Sequence, residues 1–192
     1  MKKFVLSALL VLVSAFGAVN AQTNDVRLSA GATNINSVTT FTGSAEVRKT
    51  VAGNFQVSDA LSLTTDGDTN LVENKGVVRG YFGTESARVF AGGGLNVGKL
   101  TNRDAFLNPV LQAGINFDIA KINIEPYVEL QTPDLLSNSR ARSLAVALTG
   151  KVNLSDSFGI LATGGVRSTR LDNDFFTGRN ERFLTGGLFF NF

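Results

Sequence analysis

Three side chains are missing from this 192-residue sequence: it has no cysteine, no histidine and no tryptophan. Without cysteine, neither a disulfide nor a thiolate metal site can hold the fold, and no lipid can be attached through that residue. Without histidine, the usual pairs of nucleophile and base are unavailable. Charge is sparse, at 18% of residues, below the roughly 25% of ordinary soluble domains. Proline occurs three times and tyrosine twice. No stretch after residue 21 reaches the roughly 18 consecutive apolar residues of a membrane-spanning helix.

The first 21 residues have the three parts of a secretory signal. Lys2 and Lys3 form a basic start, Phe4 to Ala18 an apolar run, and Val19-Asn20-Ala21 a small-residue cleavage site. The expected domain division is a signal peptide over 1–21 and a single domain over 22–192. Removing Lys2 and Lys3 leaves 16 basic residues against 16 acidic ones. A neutral chain offers no basic footprint for nucleic acid.

Alternation with a period of two dominates the rest, the spacing of a strand that presents different faces to different surroundings. In Lys121 to Gln131, Ile122, Ile124, Pro126, Val128 and Leu130 share one face, and Asn123, Glu125, Tyr127, Glu129 and Gln131 the other. Leu107, Pro109, Leu111, Ala113, Ile115 and Phe117 repeat the pattern before it. Val89, Ala91, Leu95 and Val97 do so earlier still, and Leu144, Val146, Leu148 and Val152 later. Weaker strands are expected at about 25–34, 40–51 and 54–64, with a bulge or shifted register where Asp59 interrupts the third. Short turns are expected near 52–54, 84–86, 119–121 and 155–157. Longer polar loops are expected at 34–39, 65–73, 99–106, 132–141 and 169–180. Long loops at one end and short turns at the other describe an up-and-down meander.

The polarity of the faces decides the solvent. A water-soluble barrel hides its apolar residues and shows charge outside. Here one face is almost free of charge through mid-strand, while the other carries single charges among Gly, Asn, Ser and Thr. A closed sheet in lipid with a polar lumen explains that distribution, because in a bilayer every backbone group must be paired. The expected fold is an all-β transmembrane, antiparallel, up-and-down barrel of about ten strands, with eight as the alternative. The sheet closes on itself, so a monomer is expected.

The final segment, RFLTGGLFFNF, fits the same scheme. Leu184, Gly186, Leu188, Phe190 and Phe192 form one lipid-facing row of a closing strand. Together with the signal and the hairpin rhythm over 23–192, this row resembles the small bacterial outer-membrane β-barrels of the outer membrane protein A and X type. The resemblance implies an outer-membrane location, contact with outer-membrane lipid, and a terminal row read as an assembly signal by the barrel-insertion machinery. Two features depart from the family. Aromatic girdles would rest mainly on Phe41, Phe55, Phe82, Phe106, Phe117 and Phe158 for want of tryptophan, and ten strands exceed the eight common in small members. Barrel enzymes such as lipid A deacylases, phospholipases and omptin-like proteases use histidine, which this chain lacks, so no enzyme activity, cofactor or metal is expected.

Two glycine runs, Gly92-Gly93-Gly94 and Gly164-Gly165, sit inside strands, where they permit close packing and sharp curvature rather than phosphate binding. Asp66 to Asn70 resembles the start of a calcium loop, but Leu71 stands where that loop needs glycine and Val77 where it needs glutamate, which leaves a solvated loop. By parity, Arg27, Glu46, Arg48, Lys75, Arg79, Arg88, Asp118, Glu125, Glu129, Lys151 and Arg167 point inward. Charges in a narrow lumen must pair or stay hydrated. The expected site is a lumen cluster of Arg79, Arg88, Glu125 and Glu129 that closes the barrel, which favours a structural or surface-interaction role with exposed outer loops. A small pore for ions or solutes is the alternative, and an envelope enzyme a third reading. The surface partner is not specified by the sequence.

Overall fold

The computed structural model describes residues 22–35, 38–52, 54–67, 69–101, 104–136, 142–170 and 179–192; the expected signal over 1–21 lies outside them. Ten strands are formed: β1 (Gln22–Ile35), β2 (Val38–Ala52), β3 (Phe55–Thr65), β4 (Asn70–Gly83), β5 (Ala87–Leu100), β6 (Ala105–Ile119), β7 (Ile122–Gln131), β8 (Arg142–Asn153), β9 (Phe158–Arg170) and β10 (Arg179–Asn191). Each pairs antiparallel with its chain neighbours, and β1 pairs with β10, so the sheet closes. Closure removes every edge, and with it the unpaired N–H and C=O groups that lipid would not satisfy.

The alternation in the sequence becomes the inside and outside of the wall. Leu28, Leu95, Leu111, Leu144, Val146, Leu148, Val166 and Leu188 all stand exposed on the outer face. Arg27, Arg48, Arg79, Asn96, Gln112, Asn116, Glu125, Glu129 and Thr149 are buried on the inner one. An exposed apolar belt around a charged interior inverts the order of a soluble domain. It is the arrangement required of a transmembrane barrel.

Several expectations are corrected by how far the strands run. The loops expected at 34–39, 65–73 and 99–106 shrink to about two to four residues, because β2, β4 and β6 begin at Val38, Asn70 and Ala105. Longer connections follow β7 and β9, and 137–141 of the first and the whole of the second, 171–178, fall outside the described residues. The turns at the opposite end are short, as the sequence suggests. No register shift occurs at Asp59, which pairs regularly with Val47 and Gly76 and faces outward. The register shifts lie instead in β1 between Gln22 and Asn24 and in β2 between Thr50 and Ala52. Phe41, Phe55 and Phe82 stand exposed on the outer wall. Phe106, expected beside them, has inward parity, and its ring lies where a Cβ on Gly98 would go.

Proline leaves its mark on the ladder. The β6–β7 register runs from Gly114↔Tyr127 to Phe117↔Ile124 with the two intervening steps unpaired. Pro126 falls in that gap, where it has no N–H to give. Inward glycines make room for rings: a Cβ on Gly165 would come within 2.7 Å of the Phe183 ring, and one on Gly114 within 2.7 Å of Phe90. The first half of the β7–β8 connection is tied down by Asp134, whose carboxylate accepts from the N–H groups of Leu107 and Leu136 at 2.7 and 2.9 Å. In the β3–β4 turn, Asp66 accepts from the N–H of Thr69 at 2.7 Å, so this carboxylate serves its own loop; Asp68 lies outside the described residues.

Candidate functional site

The lumen is the candidate site, and it is layered along the barrel axis. Nearest the end that holds the two termini, Arg88 donates to Asp118 at 2.9 Å, with both side chains about 40% exposed at the mouth. Asn123 donates to Asp118 and to Asn116 just inside. Three rings follow: Phe90 and Phe189 are fully enclosed, and Tyr81 lies 5.5 Å from Phe90.

A belt of ions lies on these rings. Glu125, 3% exposed, accepts from Arg79 at 3.0 Å and lies 3.5 Å from Arg48. Arg48 also donates to Glu46 at 2.8 Å. Arg27 donates to Asp25 at 2.8 Å and lies 3.8 Å from Glu46. Lys151 closes the circuit with Asp25 at 3.3 Å. Beneath, the Arg79 guanidinium sits 4.8 Å from the centre of Phe90 and the Lys151 ammonium 5.0 Å from that of Phe189, distances at which a ring face attracts a cation. Arg79 also donates to Gln112 at 2.8 Å. Each cation therefore has a carboxylate and each carboxylate at least one cation, the condition under which buried charge is tolerated.

The geometry of the strands makes this belt a crossbar. In a ten-stranded barrel β2 and β7 are five steps apart, on opposite walls, so the Arg48–Glu125 contact spans the full width of the lumen. Arg79–Glu125 and Lys151–Asp25 cross it along shorter chords. Above the belt, Lys75 meets Glu129 at 2.8 Å, and Gln112 donates to the same carboxylate at 2.5 Å.

The lumen then opens into a cavity of about 350 Å³ toward the end with the longer connections. Its wall is rich in hydroxyls, which pair with each other: Ser29 with Ser44 at 2.6 Å, Thr42 with Thr64 at 2.9 Å and Thr149 with Thr163 at 2.9 Å. Arg167 and Glu181, 3.9 Å apart, stand among them. The side chain of Asn96 donates to Glu73 at 2.8 Å.

Of the four residues expected to form a cluster, the structure brings Arg79 and Glu125 into contact. Glu129 lies on the next layer with Lys75. Arg88 does not join them: it stands at the mouth nine residues along the hairpin from Arg79, where Asp118 on the neighbouring strand is nearer than any carboxylate of the belt. Three lumen carboxylates escaped the sequence reading, namely Asp25, Glu73 and Glu181. Parity would have found each of them, since Asp25 stands two residues before Arg27 and Glu73 two before Lys75, and Glu181 two before the inward Phe183. The row of Leu184, Gly186, Leu188, Phe190 and Phe192 lies on the outer face of β10, with Phe192 74% exposed and Phe190 stacked on Phe158 at 6.2 Å. Among the described residues no cluster of His, Cys, Asp and Glu is arranged to hold a metal ion.

No family model matches the sequence, and no curated protein matches it either. Solved structures do. The outer membrane protease OmpT from Escherichia coli, 8% identical, superposes with a TM-score of 0.55 over 92% of this chain and 99% of its own. The translocator domain of the autotransporter NalP from Neisseria meningitidis is 9% identical, with a TM-score of 0.49 over 100% of this chain and 96% of its own. Neisserial surface protein A is 11% identical, with a TM-score of 0.44 over 91% and 100%. Identities this low speak for architecture and not for activity. Closed sheet, apolar belt and the likeness in fold to the outer membrane protease together make the chain a transmembrane β-barrel with the fold of the outer-membrane proteins.

Proposed function

We propose that this chain is an integral outer-membrane protein whose barrel is closed to solutes by the ion belt, and whose role is structural or interactive. Its termini and short turns face the periplasm, and the segments after β7 and β9 face outside the cell. The observation that carries this reading is the Arg48–Glu125 contact at 3.5 Å between opposite walls, braced by Arg79 at 3.0 Å. A lumen tied wall to wall by paired ions, over a floor of enclosed rings, supports a layer closed to solutes. Leu184, Gly186, Leu188, Phe190 and Phe192 serve as the row recognised by the insertion machinery, because they present an uninterrupted lipid-facing edge on the strand that closes the sheet.

A narrow pore is the second reading, favoured by the cavity of about 350 Å³ in the outer half of the lumen. Planar bilayers separate the two. The closed barrel predicts no resolved conductance steps for the purified protein, whereas regular steps would establish the pore. We do not propose catalysis. The likeness to OmpT, a protease, is one of fold, and the lumen offers paired ions where a hydrolase needs an activated nucleophile.

A further inference from the structure

The outer wall carries a hydrogen-bonded polar pair that lipid does not explain. Asp59 on β3 faces outward and accepts a hydrogen bond at 3.0 Å from the side-chain amide of Asn74, which stands exposed on β4. Their height can be worked out from the strand. Phe55 and Thr65 stand ten residues apart on β3, and Thr65 is in register with Phe41. At a rise of about 3.3 Å per residue and a tilt of about 40°, the exposed rings of Phe55 and Phe41 lie about 25 Å apart along the membrane normal. That is the height of the apolar band of an outer-membrane barrel. Asp59 is four residues above Phe55, so it lies about 10 Å inside this band, near its middle.

The surroundings are apolar apart from Lys49, which stands on the same face of β2 two residues from Val47. Val47 and Gly76 are the register partners of Asp59, and Val57 and Leu61 its outward neighbours along β3. A Cβ added at Gly76 would meet no atom within 4 Å, so the wall is shallow on the β4 side of Asp59, whereas Val47 on the β2 side is covered. Ionisable groups at such depth are expensive in hydrocarbon, and small residues let a second wall approach closely.

We propose that this patch is a contact surface between two copies of the chain. The argument is one of complementarity. Half a turn about the membrane normal carries β3 of one copy opposite β4 of the other. Asp59 of each copy then faces the partner copy's Asn74, an acceptor set against a donor that still has a second N–H to give. The two intrachain hydrogen bonds become a ring of four, withdrawn from lipid, with the open space at Gly76 accommodating the approach. A two-fold contact of this kind needs a surface that complements itself, and this one does. The barrel is complete without it, so association follows folding and is not a condition of it. A closed sheet by itself suggests a monomer, so the contact joins two finished barrels.

The absence of cysteine makes a clean test. Gly76→Cys places the single thiol in the patch, and Gly150→Cys places it on the β8 wall, where a Cβ likewise meets no atom within 4 Å. Both are expressed in the full chain, and intact outer membranes are oxidised with copper phenanthroline. The expected result is several-fold more disulfide-linked dimer from Gly76→Cys than from Gly150→Cys. Adding Asp59→Leu and Asn74→Leu to the Gly76→Cys chain should bring the yield down to the Gly150→Cys level, while cold-gel mobility reports that the barrel still folds. Equal crosslinking at the two positions would overturn the proposal, as would a dimer that persists after both leucine substitutions. Crosslinks from Gly76→Cys to a protein of another mass would overturn it too, in favour of a different partner.

Discussion

Replacing Glu125 with glutamine removes the negative charge of the one carboxylate among the described residues that touches both Arg48 and Arg79. Removing one partner of a buried ion pair ordinarily costs about 3 to 5 kcal/mol, because the other charge is left uncompensated. In this lumen the cost is smaller. Arg48 keeps Glu46 at 2.8 Å and Arg79 keeps Gln112 at 2.8 Å, so neither guanidinium is stranded, and the amide can still accept one hydrogen bond. We expect a loss of about 2 to 3 kcal/mol. Arg79→Gln should cost a similar amount, since it leaves Glu125 with Arg48 alone. The decisive quantity is the double variant. If Arg79 and Glu125 stabilise each other, the pair of substitutions costs less than the sum of the singles by about 1 to 2 kcal/mol. The assay is urea unfolding in lipid vesicles, followed by the mobility of folded and unfolded forms on cold gels, which suits a chain without tryptophan. Strict additivity would refute the coupling of Arg79 to Glu125 and with it the brace on the crossbar, whatever the cost of each single change.

Three further expectations follow from the wall. Phe192→Asp interrupts the outward row of β10 and should lower the amount of folded barrel in the outer membrane more than a charge placed in the turn at 155–157; normal levels would sink the assembly reading. Leu148→Arg puts a cation on the lipid face and should cost about 2 to 4 kcal/mol near the midplane, whereas Thr149→Arg, one residue along and facing the lumen, should cost clearly less in the same urea titration. Gly165→Ala forces a methyl against the Phe183 ring and the Val146 carbonyl oxygen, an overpacking worth about 1 to 3 kcal/mol; an unchanged midpoint would show that the ring has room to move.

The wall was more legible in the sequence than the lumen, for a physical reason. Facing lipid is a property of single residues, so Leu111, Leu144, Leu148 and Leu188 announce themselves through period and polarity alone. Pairing across the lumen depends on which strands stand opposite, and that depends on the strand number and stagger of the closed sheet, neither of which is written locally. Arg88 illustrates this. Its inward parity was readable, but its height at the mouth was not, and height decides that it meets Asp118 instead of Glu125. Asp59 failed in the other direction. A charge in an apolar row suggests a local irregularity, yet the register there is regular, and the side chain sits in the band because Asn74 is within reach. Loop lengths were overestimated wherever polar residues continue a strand beyond the apolar band, as Thr39, Asn70 and Lys99 do.

The seam between β1 and β10 sets the order of events in folding. Asp25 lies against Asn191 and Ile35 against Glu181, so the last ladder to form joins segments about as distant in sequence as the described chain allows, and ladders of that kind are slow to close. The belt inherits the delay. Asp25 reaches Lys151 and Arg48 reaches Glu125 only once strands from both halves of the chain share one cylinder. Before that moment, Arg79, Glu125 and Lys151 lack their partners across the lumen in an open sheet with two unpaired edges, while Asp25–Arg27 and Glu46–Arg48 already pair within their own strands. The open intermediate is therefore poorly suited to lipid, and the same charges that lock the finished barrel discourage it from entering the bilayer half made.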